Sequence, residues 1–436
     1  MRSHQNIPDS LYNGSTPCEW PASYTSANGV GSPNLPPTPL PTTDPNFRGC
    51  TPDSPGPFVL FAPNPAVNQG RHQSSVFGEL EIPVLDSVNL QAAVRHEQFS
   101  GGLSSTVYKL AGKWNVWGPL SFRGSYSTNY QTPPLGAIPG STSVQARTYT
   151  VAASNWLAAQ FITDPNLKPE TARSWNLGAI WNSQGFGSDH RFQLILDYWD
   201  IRTQDQIGQI ADPNQIASLV FNGPNGTITT CDPNVQPLLR RITFNNGCTV
   251  GMSGVGSFSS VSTRYGNGPG QTTNGIDVQA SYSLLVGRGD LAFDLTATRI
   301  MQLKTGATQL DGVVVSPEDN RLGDLNFASF AQSAPKLRAN FSTNYHLDGH
   351  NLRLGVNFVS AVTDERPGIQ YGENGANWVT VDAIYRYELN DHLSLTGSVE
   401  NLFDRNPPPA QEEFGYDPWT ASPLGRTVDV GIKLTL

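Results

Sequence analysis

Long apolar runs are missing from this 436-residue chain: nothing approaches the ~18 residues of a membrane-crossing helix. That excludes a helical membrane protein. It does not exclude a membrane barrel, whose strands are only half apolar. Charge is scarce, at 14% of residues, and the balance of −9 gives no basic footprint. Nucleic acid is therefore not expected as a partner. Catalytic signatures are also absent: there is no G-x-S-x-G elbow, no H-E-x-x-H helix and no Cys/His metal spacing. No enzyme, cofactor or metal centre is expected. The seven histidines are scattered, and His346, His350 and His392 fall at turns as polar turn residues. The pairs Glu318-Asp319 and Glu412-Glu413 lie in loops and would make at most a weak divalent-ion site.

Cysteine is sparse. Cys18, Cys50, Cys231 and Cys248 all sit in Pro/Gly/Asn-rich stretches. This points to exposed loops, with two disulfides in an oxidising compartment or else free thiols. The local pairing, Cys18 with Cys50 and Cys231 with Cys248, is one of three that four cysteines allow.

What the chain has in quantity is glycine (42) and proline (34). Residues 1–75 read as a Pro/Gly-rich loop, with Pro33, Pro36, Pro37, Pro39 and Pro41 and no building period. From Ser75 a rhythm begins: half-apolar strand, tight polar turn, half-apolar strand, then a connection of variable length. The clearest pair is 335–347 with 350–360, turning at Asp348-Gly349. Leu337, Ala339, Phe341, Thr343 and Tyr345 share one face; Arg338, Asn340, Ser342 and Asn344 share the other. Similar pairs are 378–389 with 393–399, 276–284 with 291–297, 175–181 with 192–198, 108–117 with 120–128, and 76–82 with 88–96.

The last strand alternates Val428, Val430, Ile432, Leu434 and Leu436 against Asp429, Gly431, Lys433 and Thr435. That gives about 13 strands of ~10 residues, enough to span an apolar band ~25 Å tall when tilted. Aromatics near strand ends (Trp181, Tyr198, Trp199, Tyr345, Tyr385, Tyr387) fit interfacial girdles. A soluble sandwich or propeller also alternates. Its strands are shorter, and its loops do not divide into short turns on one side and long connections on the other. The expected fold is all-β, an antiparallel up-and-down transmembrane barrel over residues 76–436.

Several segments carry a resemblance. Asp164-Pro165-Asn166-Leu167-Lys168-Pro169-Glu170-Thr171, followed by Ser174-Trp175-Asn176-Leu177-Gly178, is the most specific. Others are 127–135, Leu196-Asp197-Tyr198-Trp199-Asp200-Ile201, Thr273-Asn274-Gly275-Ile276-Asp277, Val399-Glu400-Asn401-Leu402-Phe403-Asp404, and Leu424-Gly425-Arg426 before the closing strand. In kind and order they resemble the C-terminal part of the barrel of TonB-dependent receptors, plugged outer-membrane transporters. By that resemblance the barrel is incomplete, about 13 of 22 strands with no plug domain. The start of the chain shows no signal peptide, which fits a fragment, a split gene or a truncated gene model. The first strand, near Val76, is then expected to lack a partner in this sequence. Expressed alone with an added signal peptide, the chain is expected not to give a stable barrel.

The resemblance implies a bacterial outer-membrane location, contact with outer-membrane lipid, and energy coupling to the TonB complex through a missing N-terminal part. It also implies uptake of a scarce small-molecule ligand: an iron–siderophore, a vitamin or a carbohydrate. Connections 129–171, 205–272, 302–334, 363–376 and 402–423 would form the capture surface. Tyr130, Trp156, Tyr265, Tyr371, Tyr416 and Trp419 are the candidate ligand contacts, because aromatic faces suit sugars, siderophores and flat cofactors. Glu170, where the chain re-enters the wall, is a candidate for holding a cation on the inner side. The competing reading is a plug-free porin or a structural barrel.

Overall fold

Alternating side chains commit most of the chain to one sheet. The computed structural model describes residues 2–7, 67–183, 190–326, 333–365, 374–412 and 414–435. Strands β1 (Arg2–Ile7), β2 (Val67–Leu85), β3 (Val88–Phe99), β4 (Ser104–Trp117) and β5 (Leu120–Gln131) come first. The chain then makes β6 (Thr142–Tyr149) and β7 (Asn155–Thr163) before β8 (Glu170–Ser183) and β9 (His190–Gln204). A second excursion holds β10 (Ile207–Gln209), helix α1 (Pro213–Val220), β11 (Ile242–Phe244) and β12 (Phe258–Asn267). Next are β13 (Gln271–Val286), β14 (Gly289–Thr305), the small hairpin β15 (Thr308–Leu310) with β16 (Val313–Ser316), and β17 (Asp319–Asn320). The chain ends with β18 (Leu337–Leu347), β19 (His350–Val359), β20 (Trp378–Asn390), β21 (Leu393–Glu400) and β22 (Thr427–Leu434).

Among the described residues, one 15-stranded sheet runs β1-β2-β3-β4-β5-β8-β9-β13-β14-β18-β19-β20-β21-β22, with β17 beside β14. Every pairing in it is antiparallel between neighbours along that path. The register carries the period of two across the sheet. Leu80 opposes Ala92, Ala92 opposes Leu110, and Leu110 opposes Tyr126, all on one apolar face. At the other end Ala383, Val399 and Val428 line up in the same way. The opposite face carries Glu79, Lys113, Arg123, Asp197, Asp294, Arg353 and Asp382 in matching register. The apolar face is bare: Val76, Leu80, Leu177, Val430 and Ile432 are all exposed. A soluble sheet would cover such a face. Here a hydrocarbon surround is the matching solvent, and ladder bonds satisfy the backbone within it.

Aromatic pairs cluster on the apolar face near the short turns. Trp114 meets Phe122, Trp117 meets Trp181, Tyr282 meets Phe293, and His350 lies between Tyr385 and Tyr387. Such a row suits an interfacial girdle. Trp199 does not belong to it. Its register puts it on the polar face, where its ring lies against Gly275; a Cβ there would come within 2.7 Å of the ring.

Three expectations change. First, the strands are longer than the apolar rhythm: β2 has 19 residues and β14 has 17. The extra length lies at the ends carrying the long connections; in β2 it is polar, Asn68 to Ser75, so there the alternation of hydrophobicity stops before pairing does. Second, residues 1–75 are not wholly loop. Arg2–Ile7 pairs with Val67–His72, so the upper end of β2 has a partner, while among the described residues Gln73–Leu85 pairs only with β3. Third, the connections read as loops 129–171 and 205–272 are folded.

These two connections share a five-stranded sheet, β10-β12-β7-β6 with β11 beside β12. Its central pairing is parallel: Ser260 to Tyr265 of β12 lies along Ala158 to Thr163 of β7. Parallel neighbours need a long crossover; here the crossover includes two full strands of the wall. Beneath the sheet lies a buried apolar cluster that includes Tyr149, Ile216, Val220, Phe258 and Val261. Leu310 and Val315 of the β15–β16 hairpin insert into the same cluster. Each such side chain, fully buried, contributes roughly 1.5–3 kcal/mol. The Tyr149 hydroxyl donates to Ala158 O at 3.1 Å, and burial pushes this phenol up. Helix α1 starts where it should: the Asp212 carboxylate accepts from the Asn214 N–H at 2.7 Å, and Pro213 occupies the first turn. Cys231 and Cys248 form a disulfide across this unit, with Cα atoms 5.8 Å apart. Cys18 and Cys50 lie outside the described residues. We call the unit the cap.

Candidate functional site

The cap is bonded to the wall by the segment Asp164–Glu170. The Asp164 carboxylate accepts from the Asn166 N–H at 2.8 Å, which makes a local turn, and the Asp164 N–H donates to Tyr265 O at 2.9 Å. The Asn267 side chain then ties three strands of chain together. Its oxygen accepts from the Lys168 N–H at 2.8 Å, and its amide donates to Lys168 O and Asp205 O, both at 2.9 Å. Glu170 accepts from the Ile207 N–H at 3.1 Å. The carboxylate expected to hold a cation is thus engaged in fastening the cap to the wall.

A second pinning point lies at β21. Asn401 sits at φ 50°, ends the strand, and bonds Arg405 both ways at 2.9 Å. Asp382 of β20 accepts from the Asn401 N–H at 2.8 Å. Asp404 accepts from the Arg426 N–H at 2.9 Å, just before the closing strand. The segments Val399–Asp404 and Leu424–Arg426 thus meet in one corner.

Within the wall, Arg123 and Asp197 form a two-pronged ion pair across β8, with Nε to Oδ1 at 2.9 Å. The residue between them is Gly178, and a Cβ there would lie 3.0 Å from both Asp197 Cγ and Arg123 Cγ. Glycine is required because the pair occupies the space a side chain would take.

Between the cap and the outer ends of the wall strands is a cleft of about 820 Å³. It is lined by β6, β10 and β12 of the cap, by Gln271 and Thr305 of the wall, and by the β15–β16 hairpin. Tyr265 is in its lining, and burial raises its phenol, which stays neutral. The hairpin is latched over the cap: Asp311, at its tip, receives two bonds of 2.6 Å from Arg241, with Arg264 at 3.8 Å. Those arginines hold the Asp311 carboxyl below its usual range.

The five candidate aromatics among the described residues do not converge. Tyr265 lines the cleft. Tyr130 packs edge-on against Phe99 at 6.0 Å on the rim. Trp156 is exposed on β7. Tyr416 bridges to Pro409, and exposed Trp419 offers its carbonyl to Arg338 at 3.2 Å, both in the 401–426 connection. Tyr371 lies outside the described residues. Glu318 pairs with Lys304 at 2.6 Å and Asp319 with Arg321 at 3.5 Å, so these carboxylates answer to neighbouring cations. No group of three metal-ligating side chains occurs among the described residues.

A long up-and-down antiparallel sheet, apolar on one face, polar on the other, with short turns and aromatics at one end, defines a class: a large transmembrane β-barrel. The family model for the TonB dependent receptor-like β-barrel matches residues 9–402, and the chain belongs to that family. No curated protein matches it in sequence. Among solved structures it is similar to the ferric enterobactin receptor PfeA of Pseudomonas aeruginosa. The identity is 16% and the TM-score 0.57, over 85% of this chain and 46% of that one. The siderophore receptor PirA of Acinetobacter baumannii is similar at 15% identity and TM-score 0.55, over 84% of this chain and 46% of that one. Likeness at this identity shows the fold alone. The chain spans less than half the length of these receptors.

Proposed function

We propose that this chain supplies part of the wall and the outer capture surface of a bacterial outer-membrane importer, one that takes up a scarce small molecule with energy from the TonB complex. The single observation that carries the reading is the folded cap. Two wall connections build a cored, disulfide-linked unit at the long-connection end and leave a cleft of about 820 Å³ against the wall. A barrel that only leaked solutes would need no such structure. The chain covers less than half of the solved receptors, and we place the plug and the TonB contact in the remainder. The family's members are transporters, and the reading includes no catalysis.

Two measurements on the complete protein test this. Trp156→Cys in intact cells is expected to react with a membrane-impermeant maleimide, above the background of the parent protein. In planar bilayers the purified protein is expected to show no steady conductance. A label that reacts only after lysis, or a steady open conductance, overturns the proposal; the second result favours the plug-free porin.

A further inference from the structure

We infer that the cleft beneath the cap binds a neutral, hydroxyl-rich ligand, an oligosaccharide in chemical class. This rests on the importer reading and narrows its ligand. Gln145, Gln206, Gln209, Gln215 and Gln271 all line the cleft, and they come from five separate places in the chain: β6, the approach to β10, β10 itself, α1 and β13. A carboxamide offers two donors and a two-lone-pair acceptor on one rigid plane. That is the complement of a ligand whose hydroxyls each donate and accept.

The amides are partly engaged and held in place, with capacity remaining. Gln209 donates one N–H to Ala211 O at 3.0 Å. Gln206 donates to Thr203 Oγ1 at 3.0 Å. Gln145 accepts from Arg147 Nη2 at 2.9 Å. Positioned amides of this kind lose less freedom on binding than free ones. Tyr265 adds a neutral phenol and an aromatic face beside them.

Charge argues in the same direction. Four charged side chains line the cleft, two of each sign: Arg147, Arg321, Glu170 and Asp212. Each has other business. Glu170 accepts from the Ile207 N–H, Asp212 caps α1, Arg321 faces Asp319, and Arg147 lies over the Phe161 ring at 6.0 Å. The site therefore has no excess of either sign. A ferric tris-catecholate, which is a trianion, would meet no net positive field. The volume falls in the range of small-molecule sites, roughly 300–1,000 Å³.

The test is isothermal titration of the complete protein in detergent with defined probes: maltohexaose, cellohexaose, xylohexaose and chitohexaose, against ferric enterobactin and ferrichrome. At least one saccharide is expected to bind with a Kd on the order of 0.1 mM or tighter. Gln145→Ala and Gln209→Ala are each expected to weaken it about two- to tenfold, the share of one hydrogen bond. Gln209→Glu keeps the shape, adds a charge, and is expected to weaken it at least as much. Tyr265→Phe keeps the ring and is expected to weaken it less than Tyr265→Ala. The inference is overturned if no saccharide of the panel binds, if binding ignores these substitutions, or if an iron chelate binds and the substitutions weaken that instead. An iron chelate in the cleft would leave the importer standing and remove only the ligand class. A steady conductance would remove the importer and leave the class.

Discussion

Replacing Asp311 with alanine tests whether the β15–β16 hairpin is latched to the cap by charge. Arg241 is 13% exposed and Asp311 19%, and the pair is two-pronged at 2.6 Å. Removing one partner of a buried pair costs about 3–5 kcal/mol, chiefly because the other charge stays buried and alone. Arg241 stands near the cap surface and can turn partly to water, so about 2–3 kcal/mol is the expected local loss. Leu310 and Val315 remain buried on either side of the turn, so the hairpin should open more often without leaving the core for good. The readout is hydrogen exchange of peptides covering 306–317 in the intact protein. About 2–3 kcal/mol corresponds to exchange roughly 30- to 150-fold faster. Acidity gives a second arm. The Asp311 carboxyl is held low in the folded state by its bond to Arg241, so its contribution is complete above the ordinary carboxylate value, about 3.9, and drains away as pH falls through the depressed folded value. The gap between parent and Asp311→Ala should therefore be constant from about pH 5 to 7 and shrink only below about pH 4. Unchanged exchange in 306–317, or a gap that grows on acidification, would refute the latch.

Gly178→Ala is expected to force Asp197 away from Arg123 and lower barrel stability by roughly 2–4 kcal/mol, measured by urea unfolding in lipid vesicles. Adding Asp197→Ala removes the obstructing group, so the double variant should be less unstable than the two single losses summed; simple additivity would show that the pair is not the reason for the glycine. Replacing both Cys231 and Cys248 with serine opens a link of 17 residues and should cost the cap roughly 3 kcal/mol, seen as faster exchange in 221–258 and no change in wall strands β18 to β21. An equal effect across the wall would show that the cap does not fold as a unit.

The wall was legible from alternation because each strand must present one face to an apolar surround and the other to water. Leu337, Ala339 and Phe341 therefore announced β18 without any knowledge of its neighbours. The cap was not legible in this way. Two of its five strands, Ile242–Phe244 and Ile207–Gln209, have only three residues and sit among turns. Its core is assembled from three connections, so no single stretch shows a period. Two local signals were present: Asp212-Pro213 as a helix start, and two cysteines within a polar stretch. They indicate a folded element without indicating that β7 would lie along β12. The candidate aromatics were chosen as side chains that suit ligands, and among those in the described residues only Tyr265 lines the cleft. Its glutamines drew no attention because an amide carries no periodic or motif signature.

The parallel pairing of β7 with β12 has a consequence for how such a protein can change. Two connections that leave the wall at different places have become a single heritable part. An insertion, a deletion or an engineered graft in one of them leaves the other with an uncovered strand edge and half a core. Altered specificity should therefore arise by exchange of 132–169 and 205–270 together, carried with the hairpin at 306–317, or by point changes on the cleft face that leave the shared core alone. Anyone building a chimera from this barrel would need to move three stretches of sequence to transplant one piece of structure.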